Sequence, residues 1–376
     1  MPPSLLVRDL AGHGDLDSPT AVLLVDGRIA ALDGDAERPR ADRVISADRL
    51  AAVPGFIELQ LNGIDGLDFT SDPGSIGRVG AAPARHGVTA FLPTVVSSPR
   101  GTVDAALDAL PAAVPGEPIA LGLHVEGPYL SPARAGAHDP TLLRDPDPDE
   151  IARWIGSGAL RIVTLAPERE GAIAAIERLV TGGVVVSIGH TDADAPTTAR
   201  AIDAGATYAT HLFGAMSPFH HRAPGAPAAL LADERVTVGL ILDGHHLDPM
   251  VVGLVARLAP GRVSLVSDAI AALGLGDGEH RLGGRTVRVR DGAARLPDGT
   301  LAGSVVGLDA CVRAFGAITG SPRAAVTAVT ETPARVLGDP ERGRLEVGAR
   351  ADLVLLDDRL GVRMTIIGGV VAFEAT

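Results

Sequence analysis

Glu126, His190, His211 and Asp268 are the residues of this sequence whose types best suit chemistry, and each closes a short apolar run. One carboxylate and two imidazoles make a ligand set for a catalytic divalent metal that keeps a coordination position open for water. Zn²⁺, Fe²⁺ and Mn²⁺ all accept such a set. A metal lowers the pKa of its water towards about 7, so a carboxylate such as Asp268 can complete the activation as a general base. Other polar residues stand at comparable places. Glu58, Gln60 and Asn62 alternate at the end of one run, His124 precedes Glu126 by two, and Asp243 is followed by His245 and His246. Alternation puts Glu58, Gln60 and Asn62 on one face of an extended strand. A single histidine at a strand end is usually a hydrogen-bonded structural residue. Chance would scatter such histidines, whereas these gather at the same end of successive runs. Rival schemes lack their parts, since there is no G-x-S-x-G elbow, no H-E-x-x-H helix and no P-loop.

For these side chains to meet, the runs that carry them must lie side by side and parallel. Eight are legible: GFIELQLNG, VTAFLPTV, IALGLHVEG, LRIVTLAP, VVVSIGHT, ATYATHLF, VTVGLILDGHH and RVSLVSDAI. Each is short and rich in apolar or β-branched residues, as expected of strands buried on both faces. Segments such as GAIAAIERLVTGG and TTARAIDAGA lie between them, with apolar residues at helical spacing and Gly near the end. Eight βα units in succession predict an α/β fold, a (β/α)₈ TIM-type barrel whose functional residues collect at the C-terminal strand ends. Strand-like stretches at both chain ends, AVLLVDGRIAAL, DRVISADRL, ADLVLLD and MTIIGGVVAFEA, predict a small β-sandwich domain. That unit takes residues 1–53 and 343–376, and the barrel takes 54–342. Gly274 to Gly303 reads as a Gly-rich insertion with hairpin character.

Composition narrows the function further. The chain has 376 residues, 46% of them hydrophobic, enough for a large core without disorder. A formal charge of −13 argues against general affinity for nucleic acid or an anionic membrane, so an anionic substrate needs a local basic site. All 33 basic residues are arginine, which removes a Schiff-base lysine, a Walker lysine and a carboxylated lysine bridging two metals. Cys311 is the single cysteine and sits in an apolar helix-like stretch, where a buried thiol is expected rather than a nucleophile. No signal peptide and no 18-residue apolar span is evident, so the cytosol is the expected location.

Several stretches resemble one family, the N-acetylglucosamine-6-phosphate deacetylases of the amidohydrolase superfamily. They are PGFIELQLNG, GLHVEGPYL, GAHDP, IGHTDA, THLFGAM, ILDGHH, SDA and LAGS, with ETPARVLG and GRLEVGARADLVLLD near the end. The resemblance implies hydrolysis of the acetamide of N-acetyl-D-glucosamine 6-phosphate, in amino-sugar catabolism or cell-wall sugar recycling. It implies a metal held by Glu126, His190 and His211, with Asp268 as acid–base and His138 orienting the acetyl group. Arg222 and His246 match the phosphate-handling residues, Arg222 reaching in from the other subunit of a homodimer. Ala137, Gly214, Ala215, Asp243, Leu301, Ala302 and Gly303 match sugar contacts. Most of the superfamily carries H-x-H where this chain has Gln60 and Asn62. Amides are poor metal ligands, so these two mark a vestigial second site and one divalent ion per subunit, Zn²⁺ foremost, is expected. Gly214 departs from the Asn usual in relatives, which leaves N-acetylgalactosamine 6-phosphate or an N-acyl amino acid open as substrate. A catalytically silent sugar-phosphate sensor would have lost Asp268 or a ligand, and none is missing.

Overall fold

The computed structural model describes residues 4–375. Eight parallel strands follow one another around a nearly closed barrel, as expected. They are β1 (Phe56–Leu61), β2 (Val88–Val96), β3 (Leu123–Glu126), β4 (Leu160–Leu165), β5 (Val185–Ile188), β6 (Tyr208–Ala209), β7 (Thr237–Leu240) and β8 (Val263–Leu265). Each pairs in parallel with the next, from β1–β2 through β7–β8. Helices cover the outside, so both strand faces are buried and their sequences lack the polar alternation of a half-exposed sheet.

No regular ladder joins β8 to β1. At the upper end Asp268 N–H donates to the Gln60 carbonyl at 3.0 Å, and Asn62 N–H donates to the Ala269 carbonyl at 2.8 Å. At the lower end the carbonyls of Ala328 and Val329 accept from Leu265 N–H at 2.9 Å and Ile57 N–H at 2.8 Å. The seam therefore closes through single bonds, and the upper pair sets Gln60, Asn62 and Asp268 beside one another.

Polar residues fill the barrel just below its mouth. His124 donates from Nδ1 to the Leu59 carbonyl at 2.9 Å, and its Nε2 meets Thr164 Oγ1 at 2.8 Å. Thr164 and Ser187 both reach Thr210. Burial pulls the His124 imidazole down to about 4, so it stays neutral. His124 is thus a satisfied core histidine that supports the layer above it.

The strands near both termini form two four-stranded sheets. One orders Arg28–Leu32, Ala21–Val25, Leu5–Arg8 and Arg43–Ser46, and the other Val370–Glu374, Val362–Ile367, Leu353–Leu356 and Ala51–Pro54. Leu5, Val7, Val22 and Leu24 of the first share a core with Leu353, Leu355, Met364 and Ile366 of the second. The Gly-rich insertion is richer than a hairpin: Gly278–Leu282, Arg285–Arg290 and Ala293–Arg295 form a three-stranded antiparallel sheet. Its apolar side, Leu282, Val287 and Val289, packs on Val96, Ile270 and Ala302 at the barrel mouth. Cys311 is buried and free, as expected. Among the described residues no helix is long and apolar enough to cross a membrane.

The loop that follows β3 is anchored from below. Tyr129 stacks on Trp154 with ring centroids 5.7 Å apart and donates to Glu150, which also receives Arg144 at 2.7 Å. Trp154 is fully enclosed in the helix Pro148–Gly156. Trp154→Ala is expected to lower unfolding free energy by about 3–5 kcal/mol, measured by urea denaturation, because the cavity cannot collapse in a packed core.

Candidate active site

Only Glu126 of the chemical set lies within a regular strand; the others stand just past strand ends. His190 follows β5 by two residues, His211 follows β6 by two, and Asp268 follows β8 by three. All three adopt the left-handed region, with φ of 47° at His190, 27° at His211 and 49° at Asp268. Bulky L-residues avoid that region, and such outliers persist only where surrounding contacts over-determine them. Here the turn swings each side chain inward over the mouth. Gly136 is required for the same reason: at φ 57° its backbone lies so close to His190 that a Cβ would sit 3.0 Å from the ring.

Three ligand-type atoms form a near-equilateral triangle. Glu126 Oε1 is 3.0 Å from His211 Nε2 and 3.3 Å from His190 Nε2, and the two nitrogens are 3.2 Å apart. Ligands about 2.0–2.2 Å from a tetrahedral ion are separated by roughly 3.3–3.6 Å, so the residues fit a small divalent cation with little movement. His190 Nδ1 donates to the Arg134 carbonyl at 3.0 Å, which leaves the Nε2 lone pair facing the triangle. Charge agrees with this fit. Burial opposes ionisation of both groups, yet the imidazoles hold the Glu126 carboxyl well below its ordinary range, and Glu126 lifts His211 to about 9. The cluster draws positive charge to itself.

His138 forms an overlapping group with Glu126 and His190, their ligand-type atoms within 4.8 Å of one another. Its hydrogen bonds argue against a ligand. Ser97 N–H, which can only donate, points at His138 Nδ1 from 3.2 Å, and Ser97 Oγ lies 2.8 Å from the same atom. Nδ1 is therefore the acceptor, and the proton belongs on Nε2, which stands 3.9 Å from Glu126 Oε2. Burial pulls His138 down to about 3, so it is a neutral donor aimed at the opening.

Asp268 faces the same opening. Burial, and then the Glu126 carboxylate, push its carboxyl up to about 6. Asn62 Nδ2 donates to its Oδ1 at 2.7 Å and Gln60 Nε2 to the same oxygen at 3.1 Å.

These groups line a cavity of about 360 Å³. Asn62, Ala137, Gly214, Ala215, His246, Leu301 and Gly303 lie on its walls. Four named residues lie elsewhere. Gln60 sits behind Asn62 against Asp268, and Ala302 is buried in the apolar layer under the insertion. Asp243 stands behind His246 rather than on the wall: its Oδ2 accepts from His246 Nδ1 at 2.8 Å. Burial works against its charge, but His246 holds the Asp243 carboxyl down at about 2. Arg222 is exposed on the loop after β6, bonded to His221 at 2.7 Å and away from the cavity of its own chain. Arg134, Gly136, Leu282 and Thr300 line the cavity without having been singled out. Gly136 opens the GAHDP stretch and Arg134 stands two residues before it, and that proximity was the available signal. A larger groove of about 650 Å³ runs between sandwich and barrel past Arg323, Glu331 and Arg342, and it holds none of the chemical set.

The chain matches the model of the amidohydrolase family over residues 52–372. The N-acetylglucosamine-6-phosphate deacetylase of Bos taurus is 41% identical over 357 residues, covering 90% of this chain and 87% of the bovine one. The N-acetylgalactosamine-6-phosphate deacetylase of Escherichia coli O157:H7 is 37% identical over 358 residues, covering 93% of each chain. Among solved structures, a mutant N-acetyl-D-glucosamine-6-phosphate deacetylase from Mycobacterium smegmatis in complex with N-acetyl-D-glucosamine-6-phosphate superposes with a TM-score of 0.89 at 38% identity. That match covers 98% of this chain and 99% of the mycobacterial one. With the fold, the cavity and relatives of this identity along nine-tenths of its length, the chain belongs to the amidohydrolase family.

Proposed function

We propose that this enzyme hydrolyses the acetamide of N-acetyl-D-glucosamine 6-phosphate to D-glucosamine 6-phosphate and acetate. The observation that carries the reading is the convergence of the Glu126–His190–His211 triangle, Asp268 and the His138 donor on one cavity. Glu126, His190 and His211 would hold one divalent ion, most suitably Zn²⁺, with Fe²⁺ or Mn²⁺ as alternatives; bound there, it supplies Lewis acidity to water and to the acetamide carbonyl. His138 donates from Nε2 to the carbonyl oxygen as negative charge develops on it. Asp268 takes a proton from the attacking water and returns it to the leaving nitrogen, a task suited to a carboxyl titrating near neutrality. Asp268→Asn should reduce kcat by about 10²–10⁴-fold in an acetate-release assay while metal per subunit is unchanged. Glu126→Gln should instead lower metal content and turnover together, measured by elemental analysis of the same sample. Full occupancy in that variant would place the ion elsewhere.

The sugar end of the cavity is formed by Ala137, Gly214, Ala215, Leu301 and Gly303, with Ala302 buried behind it, while Asp243 holds His246. Gly214 and the 37% identity to the galactosamine-type enzyme favour a second reading, deacetylation of N-acetylgalactosamine 6-phosphate. Acetate release from the two phosphorylated sugars under identical conditions separates them by their kcat/KM ratio.

The phosphate would meet His246 of its own chain and Arg222 of a second copy. Support comes from apolar side chains on the outer surface. Phe219 is 63% exposed, and Met250, Leu254 and Leu258, one stripe of the helix Pro249–Leu258, are 77%, 51% and 60% exposed. The helix is apolar nearly all round, which suits a buried rather than a solvated face. A homodimer in the cytosol, with residues 1–53 and 343–376 as the sandwich and 54–342 as the barrel, completes the reading. Arg222→Ala should raise KM for the phosphorylated sugar by about tenfold to a hundredfold and leave unphosphorylated N-acetylglucosamine nearly unaffected. Mixing Arg222→Ala with Asp268→Asn chains should restore roughly a quarter of wild-type turnover below KM, because half the dimers then contain one complete site. No recovery on mixing would mean that Arg222 acts within its own chain or not at all.

A further inference from the structure

Gln60 and Asn62 are amides in a buried place where amides are costly. Their nitrogens converge on one atom, Asp268 Oδ1, at 3.1 and 2.7 Å. Their oxygens, Gln60 Oε1 and Asn62 Oδ1, are buried and accept no hydrogen bond among the described residues. Leaving two buried acceptors unmatched is unfavourable, so the orientation must be fixed by something stronger. The carboxylate provides it: an ionised oxygen only accepts, and turning either amide would set its oxygen against that charge. The backbone makes the arrangement rigid, because Asp268 N–H is tied to the Gln60 carbonyl at 3.0 Å and Asn62 N–H to the Ala269 carbonyl at 2.8 Å. The second carboxylate oxygen is treated differently. On the side of Oδ2 stands Gly303, whose position would put even a single Cβ within 3.7 Å of it, and Gly303 lines the cavity.

We propose that Gln60 and Asn62 are positioning residues for proton transfer, which together hold Oδ1 of Asp268 and so reserve Oδ2 as the atom that exchanges the proton. The inference rests on Asp268 being the acid–base of the deacetylation. In the first step a water O–H bond breaks as the Oδ2–H bond forms, the hydroxide oxygen joins the acetamide carbon, and the carbonyl π pair moves onto its oxygen. In the second the Oδ2–H bond breaks as an N–H bond forms, the oxyanion pair restores the C=O bond and the C–N bond is cleaved; the acid released passes its remaining proton to the amine, giving acetate and the ammonium. Two donors on Oδ1 keep the carboxyl from rotating between these steps. Amides suit the task because they donate without titrating, so the proton has no neighbouring base to move to. Gln60 lies in β1 and Asn62 one residue past its end, two positions on, so both reach the same carboxylate oxygen.

The test compares Asn62→Leu and Gln60→Met, which keep volume and remove the donor, with wild type and with the same changes in an Asp268→Asn background. Metal per subunit, KM for N-acetyl-D-glucosamine 6-phosphate, kcat and melting temperature are measured for each. The expected result is a kcat loss of at least about tenfold in Asn62→Leu, smaller in Gln60→Met, with KM and metal content unchanged. In the Asp268→Asn background the same substitutions should change residual turnover by less than about twofold, since the group they position is already gone. A further loss there, or a fall in metal content or a rise in KM that accounts for the loss, would overturn the proposal in favour of a general structural role. So would a full kcat in both single variants. If Asn62→Leu melts at assay temperature, Gln60→Met alone decides by the same criteria. An Asp268→Asn enzyme that retains more than about a tenth of wild-type kcat would defeat the acid–base assignment itself, a result distinct from failure of the positioning role.

Discussion

Glu126 places a carboxylate at 2% exposure in the mouth of the barrel, and burying such a charge is tolerable only if positive charge is brought to it. Two imidazole nitrogens within 3.3 Å of its Oε1 are the chain's answer. Much of the surrounding structure can be understood from that constraint. The Arg134 carbonyl orients His190, Ser97 sets the tautomer of His138, and the polar layer of His124, Thr164 and Thr210 replaces the aliphatic filling usual in a barrel. The same charge reaches Asp268, where it adds to burial in raising the carboxyl towards neutrality. One buried anion thus makes a place suited to a cation and, beside it, a carboxyl pushed towards neutrality.

Closure of the barrel decides where that carboxyl stands. A continuous β8–β1 ladder would have fixed the strands by regular register. Here individual bonds from Asp268, Asn62 and Ala269 close the upper seam, and the Ala328–Val329 backbone closes the lower. Regular pairing would have left no left-handed turn at Asp268, and the turn is what carries its side chain over the mouth. The seam trades sheet regularity for geometry at the site, a common allocation of strain in enzymes. The insertion sheet then covers one side, burying Leu282, Val287 and Val289 against Val96 and Ile270 and leaving Leu301 and Gly303 on the cavity wall.

The alternation of apolar runs and helical spacings was sufficient to place eight strands and the sandwich at both ends, because burial on both faces leaves a strong compositional mark. The gathering of Glu126, His190, His211 and Asp268 was legible for the same reason, since each stands at a strand end. Other features left no such mark. The third strand of the insertion was hidden because AAR carries too few residues to alternate. Asp243 and His246 share the ILDGHHL stretch, and spacing alone could not say which of them faces the cavity and which holds the other. His124 looked like part of the chemical set until its two hydrogen bonds placed it in the core.

What the sequence determined by itself was the inventory: a barrel with one carboxylate, two imidazoles and an acid–base candidate at the proper end, and no lysine for rival chemistries. These follow from residue type and local period, which act within a few residues of the chain. Only the tertiary structure decided which atoms face one another. Gln60 and Asp268 are 208 residues apart in sequence, and their 3.1 Å contact exists because the first and last barrel strands meet. The tautomers of His138 and His190, the doubly held Oδ1 and the retreat of Asp243 behind His246 are equally products of closure. Hydrogen bonds depend on distance and angle to within tenths of an ångström, and the long-range packing that sets them leaves no periodic trace in the chain.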